Sequence, residues 1–276
     1  MLEAVRRALR EDRASEDATT RLLGATAAHQ PAVARFVAEG RFVVAGLPVA
    51  YTVVRELDPD AQFSDSAEGT WAGPGDVIAA VRGRAGAILS AERVALNFLQ
   101  RLSAIATATR RAVDAVAGTP ARITHTRKTT PGLRALEQYA VRVGGGVDNR
   151  ASLADAILWK DNHWALLAQD GGRHSLAEAL RGAPGGMQVI VEVESNAQLE
   201  EALAAGVTHL LVDNQSPERV AEWVKRAGPG ITIQASGGIT LENARAYAEA
   251  GATLIAIGAL THSVMAASIS CELVSD

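Results

Sequence analysis

"QVIVEVESNAQLEEALAAGVTHLLVDN", Gln188–Asn214, holds one full copy of the pattern that decides the fold. A short apolar run finishes in carboxylates at Glu192 and Glu194. Ser195 then opens an amphipathic stretch rich in Ala, Leu and Glu, Gly206 closes it, and a second apolar run ends at Asp213-Asn214. The unit recurs in "ITIQASGG" (231–238) and "LIAIGAL" (254–260). The runs are spaced by roughly 22 residues, which suits a strand, a three-turn helix and two short loops. The helices between them carry legible ends: Ser195 with Gln198 forms a capping box, Pro217 follows Ser216 at a first helical position, Gly228 is a stop, and Thr240 precedes "LENARAYAEAG". Upstream, "ARITHT" (121–126) and "DAILWK" (155–160) read as two more strands of the series. The pattern predicts an α/β protein with a parallel αβ barrel, open and TIM-like, over residues 118–263, with a doubly wound open sheet as the alternative.

Residues 1–117 have another texture. Alternating apolar runs such as "RFVVAGLPVAYTVV" (41–54), a Gly-Pro-Gly turn in "WAGPGD" (71–76) and a long helix from Ser90 predict a separate α+β domain, joined by the C-terminal segment 264–276. In that helix Leu96, Leu99, Leu102 and Ile105 recur near helical spacing and face a core, with Arg93 and Arg101 off that face.

Composition narrows the function. With 48% hydrophobic and 21% charged residues over 276 positions the chain is globular, and a net charge of -4 argues against a general nucleic-acid binder. The lone cysteine, Cys271, excludes an internal disulfide framework and points to a reducing compartment, the cytoplasm. The first twenty residues lack the apolar region of a signal peptide, and no run approaches the ~18 residues of a membrane span. A soluble protein is expected, in which any anion site is local.

In αβ barrels reactive groups collect at the carboxyl ends of the strands. Here "ITHT" is followed by Arg127 and Lys128, "AILW" by Lys160-Asp161-Asn162-His163, and "LLV" by Asp213-Asn214. "TIQA" leads to Ser236-Gly237-Gly238 and "IAI" to Gly258-Ala259. Glu192 and Glu194 alternate with Val191 and Val193, so both carboxylates fall on one strand face, predicted to line the barrel. Lys160, or a magnesium ion held with Asp213, would offset their burial; the alternative is an exposed edge strand. The stretch "THTRKTTPGLR" (124–134) sets three cations around a Pro-Gly turn, an arrangement suited to carboxylate or phosphate. The Gly-rich strand ends leave backbone N–H groups open to a phosphate. His29, His174 and His209 have no ligand-like spacing and are expected to be structural or exposed.

With "ERVALNFLQRLSAIAT", "TRKTTPGLR", "YAVRVGGGVDNR", "WKDNH", "VEVE", "LLVDN", "ASGGI" and "GALTHS" in this order, the chain resembles the quinolinate phosphoribosyltransferases over essentially its whole length. The resemblance implies a homodimeric enzyme that joins quinolinate to the ribose of phosphoribosyl pyrophosphate, releasing pyrophosphate and carbon dioxide, with magnesium as the metal. It implies a cationic pocket of Arg127, Arg150, Lys160 and Arg93, the last reaching in from the partner subunit. Lys128 would face the phosphoribosyl oxygens, Glu192 and Asp213 the ribose hydroxyls or magnesium, and Thr126 and Asn149 the substrate. The family's usual Asp-Thr-Arg-Lys-Thr and Asn-His-Arg read here with His125 and with Asp148-Asn149-Arg150. This keeps open a relative that phosphoribosylates another aromatic acid, a molybdenum-transport accessory protein, or a non-catalytic sensor of phosphoribosyl compounds.

Overall fold

A computed structural model describes residues 1–169 and 175–274, so His174 lies outside the described residues. Its strands are β1 (Pro31–Ala38), β2 (Phe42–Val43), β3 (Gln62–Asp65), β4 (Trp71–Ala72), β5 (Val77–Arg84), β6 (Arg122–Thr124), β7 (Ala156–Trp159), β8 (Gln188–Val193), β9 (His209–Asp213), β10 (Thr232–Ser236), β11 (Leu254–Ala256) and β12 (Ile269–Val274). They divide between two compact units. Among the described residues no helix is long and apolar enough to cross a membrane.

The first unit comprises residues 1–110, 129–145 and 260–276. Its antiparallel sheet runs β12-β1-β5-β3, and strand periodicity is plain in β1, where Ala34, Phe36 and Ala38 are buried while Arg35 is exposed. The long helix starts at Ala85, five residues before the expected Ser90, and reaches Ala115. Leu96, Leu99, Leu102 and Ile105 are buried in a core shared with Phe36, Leu47 and Ile78. Arg101 departs from the reading of a residue simply left off the core face. It ion-pairs at 2.8 Å with the fully buried Glu137 and also donates to the Thr130 hydroxyl.

That pair belongs to the main correction of the expected boundary at 117/118. Residues 129–145 join the first unit because the helix Arg134–Val143 buries Leu136, Ala140 and Val141 in its core. Gly144 allows this closeness: a Cβ there would stand 2.5 Å from the carbonyl oxygen of Ala106.

The second unit, residues 111–128 and 146–259, is the barrel. Its parallel sheet runs β6-β11-β10-β9-β8-β7, so strands adjacent in sequence are adjacent in space from β7 to β11. A parallel bridge from Thr124 to Val147 adds one more step beyond β6, and the ring stays open between that bridge and β7. The Ser195 capping box, Pro217 at the start of its helix and Gly228 at the end of it are all present. The next helix begins at Ala244 rather than just after Thr240, because the Asn243 side chain accepts the Thr240 N–H at 2.8 Å and holds the intervening residues as a turn.

Alternation sorts the barrel strands into two faces. Val191, Val193, Leu210, Val212, Ile233 and Ala235 point one way and are fully buried, as residues between sheet and helices are. On the other face, Gln188, His209 and Gln234 form a polar floor, Ala156, Leu158, Ile190 and Leu211 an apolar middle, and Glu192, Asp213 and Ser236 the upper edge. His209 is a buried structural residue, bridging the Gln188 and Gln234 amides at 3.0 and 2.9 Å. His29 is exposed and donates from Nδ1 to the carbonyl of Ala25.

Candidate active site

The parallel register lines up what the runs finish with. Trp159 pairs with Val191, Glu192 with Leu211, Ser236 with Asp213, and Ala256 with Thr124, so Lys160, Glu192, Asp213, Ser236-Gly237-Gly238, Gly258-Ala259 and Thr126-Arg127-Lys128 follow one another around a single rim.

Three carboxylates meet on it. Glu192, Glu194 and Asp213 each place an oxygen within 4.8 Å of the others. The expectation that both glutamates are buried holds only for Glu192, at 8% exposure; Glu194 lies past the end of β8 and is exposed. Burial, and then the nearby Asp213, push the Glu192 carboxyl above the usual carboxylate range, with Lys160 opposing them. A carboxyl in that setting favours a cation beside it.

The cations stand on neighbouring loops. Arg127 Nε is buried with no hydrogen-bond partner among the described residues. The Arg150 guanidinium donates to the carbonyl of Ala156 at 3.3 Å. Burial pulls its pKa down and the charge of Arg127 pulls it further, against a smaller opposing effect of Asp155. Two guanidiniums close enough to repel, one of them with an idle donor, make a receptor for an anion with more than one oxygen.

Two predicted contacts have main-chain partners. The Thr126 hydroxyl accepts the N–H of Lys128 at 3.1 Å. The Asn149 amide donates to the carbonyl of His125 and accepts the N–H of Arg150 at 2.8 Å, while its own N–H donates to His125 Nε2. Both residues therefore shape the loops that carry Arg127, Lys128 and Arg150. Gly237 is obligatory where it stands: its φ is +82°, and a Cβ would overlap the Asn214 side chain and sit 2.7 Å from the Asn214 nitrogen.

Sequence reading passed over Trp164, whose indole donates to the carbonyl of Glu192 at 2.8 Å. The available signal was a tryptophan four residues after Lys160, at the spacing that puts both on one helical face. Arg93 belongs to the first unit, where it is exposed and borders a cavity of about 470 Å³ with Asp12, Glu16, Asp17 and Ser90.

Residues 17–103 match the N-terminal domain of quinolinate phosphoribosyl transferase and residues 105–272 match its C-terminal domain. The chain belongs to the quinolinate phosphoribosyltransferase family. Among curated family members, a probable nicotinate-nucleotide pyrophosphorylase of Bacillus subtilis is 42% identical over 88% of this chain and 84% of its own. The nicotinate-nucleotide pyrophosphorylase of Mycobacterium leprae is 39% identical over 98% and 96%. Among solved structures of the family, NadC from Streptococcus pyogenes superposes with a TM-score of 0.91 at 37% identity, covering 99% of this chain and 95% of that one. The chain is thus an enzyme of this family with the αβ-barrel fold read from its repeats.

Proposed function

We propose that the protein transfers the phosphoribosyl group of phosphoribosyl pyrophosphate to the ring nitrogen of quinolinate. Loss of carbon dioxide then gives nicotinate mononucleotide, with pyrophosphate as the other product, a step of NAD biosynthesis. The observation that carries this reading is the guanidinium pair of Arg127 and Arg150, which suits a dianionic pyridine dicarboxylate better than a single carboxylate.

Arg127, Arg150 and Lys160 hold the acid so that its ring nitrogen faces the anomeric carbon, which lowers the barrier by orientation. Lys128 and the backbone of Ser236-Gly237-Gly238 and Gly258-Ala259 receive the phosphates. Glu192 and Asp213 orient the ribose hydroxyls. The same carboxylates, with Glu194, fit magnesium, since hard oxygen ligands lie within 4.8 Å of one another and the strained Glu192 carboxyl gains from a cation. When bound, magnesium would supply positive charge against the departing pyrophosphate. Decarboxylation follows because the quaternised ring nitrogen stabilises the electron pair left on the adjacent carbon as the carbon–carboxylate bond breaks; that carbon then takes up a proton.

Exposed Arg93 fits a homodimer in which each site takes an arginine from the other copy, and the single cysteine fits a cytoplasmic enzyme. The test is pyrophosphate release from phosphoribosyl pyrophosphate and magnesium over a panel of pyridine carboxylates. Quinolinate is expected to give the highest kcat/KM. Preference for another acid, or no release with any, would overturn the reading.

A further inference from the structure

The helix Asp161–Gln169 is mostly open to solvent, yet Trp164 on it is only 9% exposed, and its indole N–H donates to the main-chain carbonyl of Glu192 at 2.8 Å. We propose that Trp164 is a positioning residue for Glu192, and that the helix start carrying it sets the Glu192 carboxyl against Lys160. This rests on the functional reading above for the part that Glu192 plays.

The first turn of that helix is locked from several sides. The carbonyl of Lys160 accepts the N–H groups of His163 and Trp164 at 2.9 and 3.0 Å, while the N–H of Lys160 donates to His163 Nδ1 at 3.0 Å. This is the reciprocal logic of a capping box, with an imidazole in place of the usual carboxylate. Trp159, the last residue of β7, packs its ring against both, with centroids 5.4 Å from His163 and 6.1 Å from Trp164, the latter edge-on. The backbone N–H of Asp161, in the same turn, works against the upward shift of the Glu192 carboxyl. The turn that begins at Lys160 therefore holds the Glu192 main chain through Trp164, so the cation and the carboxylate are tied to one element. An indole suits the task because it is a rigid donor with no acceptor of its own.

A double-mutant cycle tests this. Trp164→Phe keeps an aromatic ring and removes the donor; Glu192→Gln removes the group to be positioned. Both singles, the double and the unmodified protein are compared by the Kd of phosphoribosyl pyrophosphate in calorimetry with magnesium, by kcat/KM for pyrophosphate release, and by thermal unfolding. Trp164→Phe is expected to lower kcat/KM about tenfold, the scale of one well-placed hydrogen bond, and to cost nothing further once Glu192 is Gln. The same loss in both backgrounds would make Trp164 merely structural and overturn the proposal. Asp161→Pro is the second probe. It deletes the N–H at a first helical position, where proline is well tolerated, so it stays informative if Trp164→Phe folds poorly. Its penalty is likewise expected to vanish in the Glu192→Gln background, and a persisting penalty counts against the proposal. An unmodified protein that neither binds phosphoribosyl pyrophosphate nor releases pyrophosphate would sink the functional reading and this inference with it. A working enzyme with multiplying penalties would sink this inference alone.

Discussion

At the scale of single residues, the decisive feature is charge held where it is not neutralised. After burial, the charge of Arg127 holds the Arg150 pKa down, and an entering polyanion would offset that repulsion. Changing either to Ala is expected to weaken acceptor binding by about 1.5–3 kcal/mol, roughly 10- to 150-fold in Kd. Binding of phosphoribosyl pyrophosphate should change much less, and calorimetry with each ligand separates the two. Equal loss for both ligands would mean that the arginines hold the loops together instead. Arg127 was legible in the sequence because a cation just after a strand run has few places to go in a parallel barrel, whereas Arg150 came only from the resemblance to the family. The part taken by Asn149 was not: its contacts with His125 and Arg150 join positions 24 residues apart and its own neighbour, and no spacing rule reports which of an amide's partners it will choose.

Among the elements, β8, β9 and β10 carry a polar floor, buried at His209 and Gln234, whose titration has a definite sign. His209 bridges two glutamine amides, accepting from Gln188 at Nδ1 and donating to Gln234 from Nε2, an arrangement that needs the neutral ring. Burial lowers its pKa below the ordinary 6.5. The unfolded chain therefore takes up this proton first as pH falls. The stability that the neutral ring contributes is complete above 6.5 and is lost below it, with a slope of at most about 1.4 kcal/mol per pH unit. Urea midpoints for the unmodified protein and His209→Gln, at about pH 7.5 and pH 5.5, should show the larger acid loss in the unmodified protein; parallel losses would refute the assignment. The strands were readable because period-2 alternation and capping boxes are local. Two features were not, one set by a competing local cap and the other by a distant partner. The Asn243 side chain reaches back to Thr240 and delays a helix, and the segment 129–145 joins the first unit, where Leu136, Ala140 and Val141 are buried and Glu137 meets Arg101, 36 residues earlier.

For the whole molecule, we propose that two copies of the chain share their active sites. Arg93 lies on an exposed part of the long helix, and in a dimer with shared sites it completes the site of the other copy. Mixing Arg93→Ala subunits with Lys128→Ala subunits should then restore one working site per heterodimer, while each parent remains weak. Heterodimers that form without recovering activity would show that each site is built within one chain. The most direct test of the central claim is stoichiometry. The purified protein, given magnesium, phosphoribosyl pyrophosphate and quinolinate carrying a labelled 2-carboxylate, is followed for labelled carbon dioxide and pyrophosphate together. The account predicts one carbon dioxide for each pyrophosphate, with neither formed when phosphoribosyl pyrophosphate is left out. Pyrophosphate without carbon dioxide, or no turnover of quinolinate at saturating substrates, would contradict it.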